Sequence, residues 1–181
     1  MLQTQSIGKP LWDLLKHLQR EETFSNYFLV GGTALALQLG HRISNDINDI
    51  KVDFVKYNYT LLEDIKSENG IKYLGKKDIS AMKLMAIANR GDQAKDFVDI
   101  YYLLNEISLR DMFEHYKQKY NQNDISPIKR SLVYFDDVTE TNWKSVKLLK
   151  DTLSIEMIKQ TIINEMNNYN ESKSILGDIQ Q

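Results

Sequence analysis

The chain has 181 residues, 42% of them hydrophobic and 27% charged, with a net charge of −2. That is the make-up of a globular protein with room for one domain or two small lobes, and it excludes a chain held to nucleic acid by bulk charge. The lack of cysteine excludes disulfides and thiolate metal sites.

In chain order, Leu11, Leu14, Leu15 and Leu18 recur at helical spacing and predict a first helix over about 9–21, with Pro10 near its start. No apolar run is long enough for a membrane span and "MLQTQSIGKPLWDLL" lacks the form of a secretion signal, so the expected location is cytoplasmic. "NYFLVGG" reads as a buried strand stopped by two glycines, and "TALALQLGH" as a helix stopped by Gly40. "DIKVDFVKYNY" alternates and predicts a strand, with Ile50, Val52 and Phe54 on one face. A helix at about 60–67 is expected next, then a short strand at "GIKYLG".

From Lys76 the pattern becomes helical. Asp78 is the expected N-cap of "ISAMKLMAIANR" and Gly91 its stop. "DQAKDFVDIYYLLNEI" carries an apolar stripe, Ser108 suits a cap for "LRDMFEHYKQKY", and Ser126 with Pro127 suits the next helix start. "TNWKSVKLLK" and "IEMIKQTIINEMNNY" complete the set, ahead of a polar tail after Asn170. The expected fold class is α+β: a small mixed-sheet lobe over 1–75, then a helical lobe over 76–181.

Three groups of residues could carry chemistry. Gly31, Gly32 and Thr33 stand where a strand turns into a helix, a place whose N–H groups and dipole suit a phosphate. Taken alone, such a glycine pair more often makes a tight turn. Asp46, Asp49 and Asp53 follow. Magnesium takes one or two carboxylates plus phosphate oxygens, but Asp46 and Asp49 also suit a polar turn. Asp53 is harder to explain that way, because aspartate is disfavoured in a strand. Lys83 and Arg90, seven residues apart, share a helix face and could meet a triphosphate; Asp96 and Asp99 are neighbours at i, i+3. The bland reading is a solvated helix face with a Lys95–Asp99 pair. His17, His41 and His115 have no metal-ligand spacing.

Taken together, "FLVGGTALALQLGHRIS", "KVDFVKY" and "DISAMKLMAIANRGDQAKDFVDIYYLL" resemble the AbiEii/AbiGii toxin family of nucleotidyltransferases, in the polymerase-β-like superfamily. The resemblance implies transfer of a nucleotide from an NTP, with Mg²⁺ as cofactor, to an RNA acceptor such as tRNA or to a protein. It also implies a role in abortive infection and a cognate antitoxin. By position it makes Gly31, Gly32 and Thr33 the phosphate turn and Asp46 a metal ligand. Asp53 becomes a metal ligand that also assists the attacking hydroxyl. Lys83 and Arg90 bind phosphates, and Asp96 and Asp99 complete the site, with Lys83 and Asp99 among its catalytic residues.

The chain departs from the family's "DIDLF" pattern. Asn48 stands where a second metal carboxylate belongs, and a segment of helix and strand before "KVDF" is absent, as in an internal deletion. Asparagine offers a neutral oxygen in place of a charged one and should weaken magnesium binding. The alternative expectation is a catalytically inactive relative that binds a nucleotide or a protein.

Overall fold

The computed structural model describes residues 1–44, 53–150 and 153–178. The first helix, α1, runs Lys9–Arg20 with Pro10 in its first turn, as the leucine spacing predicts. The second, α2, spans Gly31–Leu39. Its Ala34, Leu35, Ala36, Leu37 and Leu39 are all buried, so it is sealed on every side. Gly40 ends it in the left-handed region at φ 61°, and the Gly40 N–H donates to the Ala36 carbonyl at 2.7 Å.

The sheet is smaller than the sequence suggests. Strands β1 (Lys66–Glu68) and β2 (Ile71–Tyr73) form an antiparallel hairpin with Glu68 opposite Ile71. Its turn is Asn69-Gly70, both at positive φ, 54° and 77°, the pairing a two-residue hairpin loop demands. "NYFLVGG" adds a single parallel bridge, Leu29 to Tyr73, with the Leu29 N–H donating to Lys72 at 2.8 Å and the Leu74 N–H to Leu29 at 2.9 Å. The α+β class is as expected, but among the described residues the sheet is a two-stranded antiparallel hairpin with one isolated parallel bridge beside it, not the mixed sheet expected. Two further expectations fail here. The 60–67 stretch forms no helix, because its end is drawn into β1 by the Asn-Gly turn. Of the predicted strand at "DIKVDFVKYNY", residues 49–52 lie outside the described residues, and 53–59 pair with no strand.

The helical part centres on α3 (Lys76–Arg90), which packs against α2, α4 (Ala94–Leu104), α5 (Leu109–Tyr120) and α6 (Ser126–Leu132). Asp78 is not the cap of α3. The helix begins two residues earlier, after Gly75, and the Glu63 carboxylate accepts the Lys77 N–H at 2.9 Å. Asp78 is instead wholly buried in the first turn, where it accepts the Leu62 and Glu63 N–H groups at 3.0 and 3.2 Å and pairs with the buried Lys119. Ser108 does cap α5, accepting the Asp111 N–H at 3.1 Å. Ser126 lies inside α6 and its N–H donates to Asp124 at 2.9 Å, so Asp124 takes the capping role assigned to Ser126.

Helix α7 (Glu140–Ser145) stops short of the predicted 150. The chain there returns to the N-terminal part as an antiparallel bridge, Arg42 to Leu148, held by Ile43 N–H to Lys147 at 2.8 Å and Leu149 N–H to His41 at 2.9 Å. Helix α8 (Ile155–Asp178) packs on α4 and α5, with Ile158, Ile162 and Met166 buried and Ile155 half-buried. One connected hydrophobic cluster runs from α1 to α8. Leu35, Leu84, Phe97 and Phe113 are among its fully buried members. Each such side chain stabilises the fold by about 1.5–3 kcal/mol.

Candidate active site

The α2 N-terminus, the end of α3 and the start of α4 meet at a cluster of buried charge. Asp99, on α4, is completely buried. Arg42 grips it with two parallel hydrogen bonds, Nε to Oδ1 at 2.7 Å and Nη2 to Oδ2 at 2.9 Å. The Lys83 ammonium, on α3, lies 2.6 Å from Asp99 Oδ2 and 2.6 Å from Asp96 Oδ1. His41 Nε2 lies 2.7 Å from Asp99 Oδ1. Arg90, mostly exposed at the end of α3, stands with its Nη2 3.6 Å from Asp96 Oδ2. That buried Asp96 oxygen accepts no hydrogen bond among the described residues.

Burial alone would push the Asp99 carboxyl up, but Arg42, Lys83 and the His41 hydrogen bond hold it well below the usual carboxylate range. Burial opposes the Arg42 charge, and the attraction and hydrogen bonds of Asp99 outweigh it, so the guanidinium is held above its ordinary value. For His41 burial wins, and its pKa is lowered in spite of Asp99. A neutral His41 donates its Nε2–H to Asp99, which leaves Nδ1 buried without a partner among the described residues.

The glycine turn touches this cluster. A methyl group on Gly32 would come 2.6 Å from Arg42 Nη2 and 3.4 Å from Lys83 Nζ, so a side chain there would have to displace the guanidinium from Asp99. Gly31 sits at φ 69° and faces open space. Thr33 exchanges a hydrogen bond with Ser44 at 3.0 Å. Beside the turn opens a cleft of about 720 Å³, between α1 and segment 53–57, lined by Val30, Thr33 and Asp53 among others. Asp53 is exposed, and among the described residues its segment carries no strand.

The sequence-predicted residues thus fall into two groups. Gly32, Lys83, Asp96 and Asp99 converge, with Arg90 at the edge. Thr33 and Asp53 share the cleft. Asp46, the predicted metal ligand, lies outside the described residues, as do Asn48 and Asp49. The predicted surface pairing of Asp99 with Lys95 gives way to Arg42, Lys83 and His41. Arg42 and His41 were not legible as site residues. They follow a helix stop and meet Asp99 across 57 and 58 positions of chain, so no local spacing rule relates them.

The chain matches the family "Nucleotidyl transferase AbiEii toxin, Type IV TA system" over residues 49–169. The chain belongs to this family. Its members are nucleotidyltransferase toxins of toxin–antitoxin systems, and Lys83, Arg90, Asp96 and Asp99 lie within the match, whereas Gly31, Gly32 and Asp46 precede it. The chain is also similar to "Uncharacterized protein aq_aa25" of Aquifex aeolicus (strain VF5), at 31% identity over 166 residues, 68% of this chain and 80% of that protein. No solved structure matches. Among the described residues, no helix is long and apolar enough to cross a membrane.

Proposed function

We propose that this chain binds a nucleoside triphosphate by its phosphates at Gly31, Gly32 and Thr33 and transfers the nucleotide to a hydroxyl of an acceptor, RNA or protein, in the cytoplasm, the bond between the α- and β-phosphates breaking to release pyrophosphate. One observation carries the reading. At the N-terminus of a buried helix, the glycine turn lies so close to Arg42 and Lys83 that a side chain on Gly32 would displace the Arg42 guanidinium. Three cations, Arg42, Lys83 and Arg90, serve two carboxylates there, Asp96 and Asp99. The surplus positive charge and the helix dipole favour an incoming polyphosphate. Lys83 spends two of its three ammonium hydrogens on Asp96 and Asp99, leaving a third to meet a phosphate oxygen. Asp99 is therefore the positioning residue that holds Lys83 and Arg42 in place. In this reading Asp53, at the cleft, takes the proton from the acceptor hydroxyl.

The family reaction uses Mg²⁺, and the described residues do not by themselves fit a metal centre. Among them, no group of three or more His, Cys, Asp or Glu is placed to hold an ion. Asp96 and Asp99 face cations instead. Metal ligands beyond Asp53 have to come from Asp46 and Asp49, outside the described residues. The two-lobe division, 1–75 and 76–181, and a cognate antitoxin belong to the same proposal.

A second reading, nucleotide binding without transfer, is favoured by Asn48, a neutral side chain where the family pattern has a metal carboxylate. Incubating the protein with labelled NTPs, Mg²⁺ and total RNA separates the readings. Transfer of label supports the enzyme. A thermal shift with NTP but no transfer supports the binding module, because a ligand that binds the fold stabilises it by mass action.

A further inference from the structure

The cleft beside the glycine turn has a lining unlike that of the charge cluster. Its floor is α1, with Leu11, Leu15 and Leu18, and its far wall is built of aromatic rings. Phe24 and Phe54 stack at 5.2 Å with 21° between their planes, and Tyr27 meets both edge-on at 5.3 and 5.4 Å. Tyr27 and Phe54 nonetheless keep 43% and 52% of their surface exposed. Exposed rings over a cleft of about 720 Å³ carry an unmet hydrophobic cost. That volume lies within the range of small-molecule and cofactor sites.

We propose that this cleft is the base subsite of the nucleotide, with the nucleobase stacked on the exposed face of Phe54 beside Tyr27. The inference rests on the phosphate site proposed above and adds to it what recognises the rest of the ligand. Continuity makes the assignment. Val30 and Thr33 line the cleft and flank the turn, so a ligand with its phosphates at Gly31 and Gly32 enters the cleft with its sugar and base. The chemistry agrees: Arg42, Lys83 and Arg90 lie at the turn, where the phosphates go, and the cleft, although Asp53 and Lys56 stand in its lining, offers mainly apolar and aromatic surface to an uncharged base. Phe24 and Phe54 are too close to admit a base between them, which leaves the outer face of Phe54 as the platform. Asn26, at the same wall, brings an amide able to pair with a base edge.

Isothermal titration with three probes tests the assignment: inorganic tripolyphosphate, each common NTP, and the corresponding nucleosides. The expected result is that at least one NTP binds about tenfold or more tighter than tripolyphosphate, the gain that stacking one base supplies. Phe54→Ala and Tyr27→Ala remove that advantage and leave tripolyphosphate binding unchanged. Both positions are exposed, so the folded state tolerates the change, and a melting curve on each variant verifies it. Arg90→Ala weakens tripolyphosphate and NTP together. Equal binding of NTP and tripolyphosphate by the wild type, or an NTP preference that survives Phe54→Ala, overturns the base subsite and leaves the phosphate site standing. Binding of neither ligand overturns both.

Discussion

At the scale of single residues, the site is governed by one carboxylate. Asp99 neutralises Arg42 and Lys83 in a place that water does not reach. Such a group is costly to remove, because its partners stay behind as uncompensated buried charge. Asp99→Ala is expected to lower unfolding free energy by about 3–5 kcal/mol, read by denaturant titration, and to weaken phosphate binding with it. The same group and its neighbour set a pH dependence. His41 and Asp99 both hold their protons less firmly in the fold than in the unfolded chain, so the unfolded chain binds more protons and stability rises with pH. The His41 share is complete above its ordinary value of 6.5 and fades as pH falls below it. The Asp99 share is present above the ordinary 3.8 and is lost as pH falls through its own lower pKa. Melting temperature should therefore drop between pH 7 and pH 5, and His41→Gln should flatten that drop. His115, lowered by its own burial, keeps a slope of its own in that variant. Of this cluster, helical spacing in the sequence relates Lys83 to Arg90 and Asp96 to Asp99, whereas the meeting of the two pairs across α3 and α4 is tertiary. His41 was dismissed there for want of a ligand spacing, and only tertiary folding gives it a partner.

At the scale of elements, the helices were legible and the strands largely were not, for a physical reason. Helices such as α1, α3 and α5 are specified by local periodicity, and α5 also by its Ser108 cap. Leu29 pairs with Tyr73 across 44 positions, and one bridge leaves no periodic trace. The β1–β2 hairpin did leave a local sign, Asn69-Gly70, and the helix expected at 60–67 obscured it. Asp78 shows the same limit. Its position suits a helix cap, yet it ties segment 60–63 to the helical part together with Lys119. The Lys119 ammonium also donates to the Thr60 carbonyl at 3.2 Å and lies 4.8 Å over the Tyr57 ring. Lys119→Met should leave Asp78 buried without its cation and cost about 3 kcal/mol or more. The loss should be concentrated locally, so amide exchange at Leu62 and Glu63 is expected to accelerate more than at Leu84. Equal acceleration at all three sites would show instead that the pair supports the whole fold rather than this anchor.

At the scale of the whole molecule, two regions meet at the glycine turn: a buried charge cluster, proposed to take the phosphates, and an aromatic cleft, proposed to take the base. Family membership puts the chain among nucleotidyltransferase toxins, and the proposed nucleotide site rests on the close approach of Gly32 to Arg42 and Lys83. The sequence showed the order of these residues but not their convergence, because it spans two turns of chain separated by the segment around Asn48. The most direct measurement is transfer of label from an NTP labelled at its α-phosphate to total RNA or to protein, in the presence of Mg²⁺. Two proteins are compared, the wild type and Arg90→Ala, whose exposed side chain can be removed without opening the core. The account predicts label in the acceptor with the wild type and at least a tenfold slower transfer with Arg90→Ala, a loss of about 1.4 kcal/mol or more of transition-state stabilisation. A wild-type protein that binds the NTP and transfers no label would contradict it.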